Sequence, residues 1–378
     1  MYQKTIRENN EKKIFHFVYK EDRDLCIAEI CSELDMSFPT VKNVLYKLMD
    51  RGVIKESLKI SSGNGRKAQA YCLNKNFCYS VGVRIDSRKF KFLLVNERGV
   101  VTKELSVRES FHEKNLIPRL EEELEIFLDS IPSDIREKIL GIGIAIPGVV
   151  DKIGRTLEIG TNFKVGEDEI EALSQRLNLK ILVDNESNLS AIAEKFLGSG
   201  ETFSDFITLD LSETISMANF REESHYGNFS FRASRVEHMC IDIDGRLCEC
   251  GHRGCWGTYV SDRALLKSFR EEFREIKRYS DIFKGEYLES EAGQKILDEY
   301  VRYLAVGIKN LIFLYNPERI IITGNICRYR DLIIEPLLDY IYRDHIFFRG
   351  KETITFSDLR ENSGTLGASI MPIVDSLF

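Results

Sequence analysis

Between Ser234 and Trp256 the chain gathers one histidine and three cysteines: His238, nine residues, Cys248, one residue, Cys250, four residues, Cys255. One imidazole nitrogen and three thiolates are the four donors of a tetrahedral Zn(II) site, and Gly251 and Gly254 allow the chain to fold tightly around an ion. Four protein ligands leave no position for an activated water, so the expected zinc is structural. His252, inside the tight loop, and Cys240, two residues from His238, are the substitutes that this spacing leaves open. The bland alternative is a set of unligated thiols beside a surface histidine. The other five cysteines, at 26, 31, 72, 78 and 327, are scattered and read as small core residues rather than a disulfide framework.

A different chemistry is expected at the N-terminus. Residues 1–75 carry 14 Lys/Arg against 10 Asp/Glu, and the remainder 39 against 50, so a net charge of −7 conceals a basic end. The excess is small and needs a motif beside it. Apolar spacing predicts a helix over 10–19 through Ile14, Phe15, Phe17 and Val18, and a second over 27–34. After the turn DMSFPT a third helix begins near Pro39, buries Val41, Val44, Leu45, Leu48 and Met49, and stops at Gly52. Ser37, Thr40, Lys42, Asn43 and Lys47 then sit at its exposed front, where side chains reach base edges and phosphates. Two strand-like runs, VIKESLKI and KAQAYCLN, flank SSGNGRK, whose Arg66 and Lys67 are placed to touch a DNA backbone or minor groove. Together these describe a winged helix-turn-helix. A small helical protein-interaction module is the alternative; agreement of turn, polar front and basic wing favours DNA.

At 378 residues the chain is too long for one core, and its composition, 43% hydrophobic and 30% charged with 7 Pro, excludes collagen-like and disordered classes. The longest apolar run, 139–150, is broken by Gly141, Gly143, Pro147 and Gly148, and no apolar signal core opens the chain, so a cytoplasmic protein without a membrane span is expected. From residue 76 onward the pattern alternates: three strands with turns at Asp86–Ser87 and Glu97–Gly99, a helix near 116–128, the buried strand ILGIGIAI, a strand entering a helix at DNESN, two more strands, and helices near 265–273 and 291–315 before ERIIITGN. This is α/β architecture with two similar lobes. Ligands gather at the carboxyl ends of such strands, here at Gly148, Asn185 and Gly324.

The segment SRVEHMCIDIDGRLCECGHRGC resembles the G-E-x-G-H…C-x-C-G-x-x-G-C hallmark of the ROK family (repressors, open reading frames and sugar kinases). The resemblance extends to the wing G-R-K, to Pro147-Gly148, and to Asn185-Glu186-Ser187-Asn188 in place of N-D-A-N. It implies an actin-like (ribonuclease H-like) two-lobed body behind the winged helix, a sugar cleft between the lobes, and operator binding as a dimer or higher oligomer. The division that follows is a DNA-binding domain 1–75, a first lobe 76–195 completed by the C-terminal helix 364–378, and a second lobe 196–363 holding the zinc loop.

Departures from the family pattern separate kinase from regulator. Where kinases of the family have D-x-G-G-T this chain has Asp86-Ser87-Arg88-Lys89-Phe90, and where they have G-T-G-I-G it has Leu211-Ser212-Glu213-Thr214-Ile215. Bulk and a carboxylate replace the glycines whose amides approach phosphate. Glu186 replaces the aspartate base, and its extra methylene moves the carboxylate by about an ångström, enough to cost roughly a hundredfold in rate. Of the sugar contacts that the resemblance implies, Asn162, Asn185 and His238 match, whereas Arg235 and Gly257 stand in place of glutamates. Arg235 could take an anionic effector, a sugar phosphate or sugar acid; alternatively it pairs with Glu186 or Glu237. The expectation is a non-enzymatic transcriptional regulator, a repressor of carbohydrate-related genes acting as homodimer or homotetramer on a palindromic double-stranded operator. A divergent sugar kinase and a body sensing a protein partner are the competing readings.

Overall fold

The structure is a computed structural model describing all of the chain except residues 1, 61–67, 87–88, 109–115, 147, 152–155, 160–162, 223–228, 344–349, 351–352 and 378. Arg66, Lys67, Ser87, Arg88, Pro147 and Asn162 therefore lie outside the described residues.

The N-terminal unit holds α1 (Tyr2–Glu21), β1 (Leu25–Cys26), α2 (Ile27–Leu34), α3 (Phe38–Asp50), β2 (Ile54–Ile60) and β3 (Ala68–Leu73), with its strands in the order β1-β3-β2. Helix α1 begins well before residue 10, where the apolar spacing starts it, since the polar residues of its first half offer no apolar period to read. Strand β1 is too short to announce itself in the sequence and exists by pairing Leu25 with Tyr71. Ile14, Phe15, Val18, Ile30, Val41, Leu45, Leu48 and Tyr71 form a closed core of this unit, which makes α3 a rigid support rather than a frayed surface helix. Tyr19 donates its hydroxyl to the Glu97 carbonyl at 2.9 Å, and Arg98 pairs with Asp22 at 2.9 Å while lying 4.0 Å above the Tyr19 ring, so α1 is seated on the body.

The body begins with the antiparallel run β4 (Tyr79–Asp86), β5 (Lys89–Asn96) and β6 (Val101–Arg108), followed by α4 (Leu116–Asp129) and α5 (Ser133–Arg136). Then come β7 (Ile139–Ile146), a small antiparallel sheet of β8 (Gly148–Asp151), β9 (Thr156–Ile159) and β10 (Phe163–Gly166), α6 (Glu167–Leu177), β11 (Ile181–Asn185) and α7 (Glu186–Leu197). The second half contains β12 (Asp205–Leu211), β13 (Ile215–Glu222), β14 (Phe229–Ser234), α8 (Gly257–Val260), α9 (Asp262–Glu272), α10 (Gly285–Leu288), α11 (Glu291–Tyr315), β15 (Arg319–Gly324), α12 (Arg330–Tyr342), β16 (Ile354–Phe356) and α13 (Ser363–Leu377).

The two five-stranded sheets have one topology used twice. In β6-β5-β4-β7-β11 and in β14-β13-β12-β15-β16, three antiparallel strands are extended by two parallel ones. Each half ends in a helix that crosses over: α7 packs on β12 and β13 of the second sheet, α13 on β4 and β7 of the first, and the two helices pack on each other. Glycine permits the approach. A Cβ on Gly143 would stand 1.9 Å from the Ala368 carbonyl oxygen, and one on Gly367 1.7 Å from that of Leu189. The carboxyl ends of β4, β11, β12 and β15 thus face one interlobe region, with α7 beginning inside it.

Candidate metal centre, interlobe cleft and nucleic-acid interface

His238, Cys248, Cys250 and Cys255 converge, their ligand atoms all within 4.8 Å of one another. A short 3-10 turn, Val236–His238, delivers the imidazole, and the bridges Cys240↔Cys255 and Leu247↔Arg253 fold the remainder into a knuckle. Gly251 and Gly254 hold φ of +88° and +70° there, and a side chain on Gly254 would meet the Asp242 carbonyl at 1.5 Å. The Cys248 Sγ to His238 Nδ1 and the Cys250 Sγ to Cys255 Sγ separations are both 3.6 Å, close to the roughly 3.7 Å edge of a tetrahedron with ~2.3 Å metal–sulfur bonds. The Cys250 thiol is drawn down to about 6, foremost by the backbone N–H of His252, while burial pushes Cys255 up to about 12. Such an unequal set becomes equal only when a cation removes both protons. The donors fit zinc. His252 Nδ1 also lies 3.6 Å from Cys250 Sγ but is outside the four-donor group, and Cys240 points its thiol at the Arg253 carbonyl.

In the cleft, Asn185 caps α7 by accepting a hydrogen bond from the Asn188 N–H at 3.0 Å, and Asp184 Oδ1 accepts from the Asn188 side chain at 2.9 Å. Glu186 opens the helix and pairs with Arg84 of β4, Nε to Oε1 2.9 Å. Its side chain lies over Gly364, where a Cβ would come 2.5 Å from Glu186 Cγ. Arg84 was invisible as a site residue in the sequence, since a lone arginine in a strand carries no motif. Arg235 is exposed and, among the described residues, pairs with neither Glu186 nor Glu237; at Glu237 its charge only opposes the upward push of burial. Glu237 sits against Gly257 and 3.5 Å from His238 Nε2. At Gly257 the backbone and Cβ of Glu237 fill the space that a side chain would take.

Across the cleft, Thr323 donates to Asp210 at 3.1 Å and Asn325 donates to the buried Asp262 at 2.7 Å. Burial raises Asp210 and pushes Asp262 up to about 7. The loop 211–215 is engaged internally, the Ser212 carbonyl accepting from the Asp262 N–H and the Glu213 carbonyl from Arg263. The Ser212 N–H, the kind of donor a phosphate needs, is spent on the Thr214 carbonyl at 3.2 Å, and Asp210 and Asp262 stand beside this loop.

On α3, Ser37 is the N-cap, with its hydroxyl 2.8 Å from that of Thr40, and Lys42, Asn43 and Lys47 are exposed. Phe38 and Tyr46 are exposed on the same helix, 54% and 43%, with the Lys42 ammonium 5.4 Å from the Tyr46 ring. Neither aromatic belongs to the polar types that the sequence points to, although large apolar residues on a basic helix front suit thymine methyls. Among the described residues no helix is long and apolar enough to cross a membrane.

Residues 80–373 match the ROK family. The xylose repressor of Bacillus subtilis (strain 168) is 24% identical over 378 residues, covering 98% of this chain and 96% of the repressor. The glucokinase of Thermotoga maritima is 25% identical over 311 residues, covering 76% of this chain and 95% of the kinase. Among solved structures, a ROK family transcriptional regulator described as a homologue of the Escherichia coli MLC protein superposes with a TM-score of 0.81 at 19% identity, with 98% of each chain covered. With the family matched across both lobes and the cysteine knuckle in place, the chain belongs to the ROK family.

Proposed function

We propose that this protein is a DNA-binding transcriptional repressor of carbohydrate-related genes, with a kinase-like body that senses rather than phosphorylates. The observation that carries this is the exposed polar row of Ser37, Lys42, Asn43 and Lys47 on a helix whose other face is locked into a core. Similarity to a repressor across 98% of the chain includes that unit, whereas similarity to a glucokinase covers 76%. In this reading 1–75 reads DNA, 76–195 with the C-terminal helix forms one lobe, and 196–363 forms the other. The crowded phosphate loops and acidic cleft argue against ATP turnover.

His238, Cys248, Cys250 and Cys255 hold a structural zinc that fixes the edge of the second lobe. Asn162, Asn185, Glu186, Arg235 and His238 form the effector pocket, for a sugar, sugar phosphate or sugar acid, and exposed Arg235 is the group for an anionic one. Closure of the lobes changes the spacing of two winged helices in a dimer or tetramer, and a palindromic operator then fits less well. Selection of bound duplexes from a random pool by the full chain should enrich an inverted repeat. No enrichment, together with hexose-dependent ATP consumption at ordinary kinase rates, would replace this reading with the kinase one.

A further inference from the structure

The four-donor set takes Cys248, Cys250 and Cys255 with His238 and leaves Cys240 beside it. Cys240 stands directly opposite Cys255 in the bridge that closes the knuckle. On either side of that bridge the Ile241 N–H donates to the Gly254 carbonyl at 2.9 Å and the Trp256 N–H to the Met239 carbonyl at 2.8 Å, which makes Cys240 and Cys255 a non-hydrogen-bonded antiparallel pair. In such a pair the Cα atoms are about 4.5 Å apart and the side chains leave on one face. A disulfide spans Cα atoms roughly 4.4 to 6.8 Å apart, so the backbone holds the two cysteines at bonding range. Cys240 Sγ rests 3.7 Å from the Arg253 carbonyl and Cys255 Sγ 3.6 Å from that of Cys250; a change of rotamer about each Cα–Cβ bond turns the sulfurs toward each other. Trp256 is buried and donates its indole N–H to the Tyr303 carbonyl at 3.0 Å, an anchor that keeps the strands in register without help from a metal. Access to the two thiols differs. Cys240 is exposed, whereas Cys255 is buried, so an oxidant in solution meets Cys240 first.

We propose that Cys240 is an oxidation site whose disulfide with Cys255 opens the metal centre, a hydroperoxide such as hydrogen peroxide being the oxidant. The Cys240 thiolate attacks one peroxide oxygen, the O–O bond breaks and hydroxide leaves, giving a sulfenic acid. The Cys255 thiolate then attacks the Cys240 sulfur, the S–S bond forms and a second hydroxide leaves. The two sulfurs have together given two electrons to the peroxide. His238, Cys248 and Cys250 remain as three donors of a four-donor centre, which holds zinc less well. Reduction by a dithiol returns both thiolates. The loss of metal rests on the zinc reading above, whereas the disulfide rests on strand register.

Tryptic cleavage after Arg235, Arg246, Arg253 and Arg263 puts Cys240 in peptide 236–246, Cys248 and Cys250 in 247–253, and Cys255 in 254–263. The test treats the zinc-loaded full chain and Cys240→Ser with hydrogen peroxide, reads released zinc with a chromogenic chelator, then alkylates free thiols and maps the peptides without reduction. The parent should yield 236–246 joined to 254–263 and lose most of its zinc, and a dithiol with added zinc should reverse both. Cys240→Ser, altered at an exposed position, should keep most of its zinc at the same dose. Peptide 236–246 left unjoined or joined to 247–253, or equal zinc release from the two proteins, overturns the proposal. The parent's peptide map decides it even if Cys240→Ser does not fold. A preparation that holds no zinc at the outset counts against the zinc reading, and the joined peptides still decide for or against the disulfide.

Discussion

Cys250 and Cys255 differ in proton affinity although their sulfurs lie 3.6 Å apart: the first sits by a backbone N–H, the second is buried. That asymmetry is what a divalent ion removes, which makes metal content the direct measure of the centre. Elemental analysis of purified protein should find about one zinc per chain. Cys250→Ser should lower it well below one and reduce the melting temperature, and full retention would move the ligand set elsewhere, His252 being nearest to hand. The four donors were legible in the sequence because a knuckle of local chain joins three of them. Arg84 was not, because strand pairing decides what it faces.

At the scale of elements, α3 and its wing do the proposed reading. A helix neutralises phosphates in proportion to the cations on its free face, and removing one such cation lowers the salt slope of binding by about one. Replacing Lys42 and Lys47 together with alanine should therefore weaken binding to all duplexes alike, and the slope of log K against log salt should fall by about two. An unchanged slope would remove α3 from the interface. Both lysines are exposed and outside the apolar core, so folding should be spared. The helix itself was readable from Pro39 in its first turn and its apolar spacing. Strand β1, the β8–β9–β10 sheet and β16 were not, being two to four residues long and stabilised by pairing rather than by any period of their own.

For the whole molecule, stability should carry the mark of Asp262, whose carboxyl burial pushes up to about 7. The folded state then keeps a proton that the unfolded chain, with a carboxylate near 4, has released, so the unfolded state binds fewer protons between those values. Stability is greatest at the acid end of that window and falls as pH rises through about 7, by at most about 4 kcal/mol from this group. Asp262→Asn should flatten the dependence of the urea midpoint between pH 5 and 8, most visibly by raising it at pH 8. A variant whose midpoint still falls as steeply as the parent's would place the sensitive group elsewhere, with Asp210, Glu194 and Glu237 next, since burial raises all three.

The amino-acid sequence by itself determined the basic end, the three amphipathic helices, the cysteine knuckle and the α/β alternation, because each is written in residues near one another along the chain. Only the tertiary structure decided the strand order that the two similar lobes share, that α7 and α13 exchange sheets over Gly143 and Gly367, and that Arg84 stands against Glu186. Those depend on which distant segments meet. Charge pairing and close backbone approach act through space, and local spacing carries no record of them.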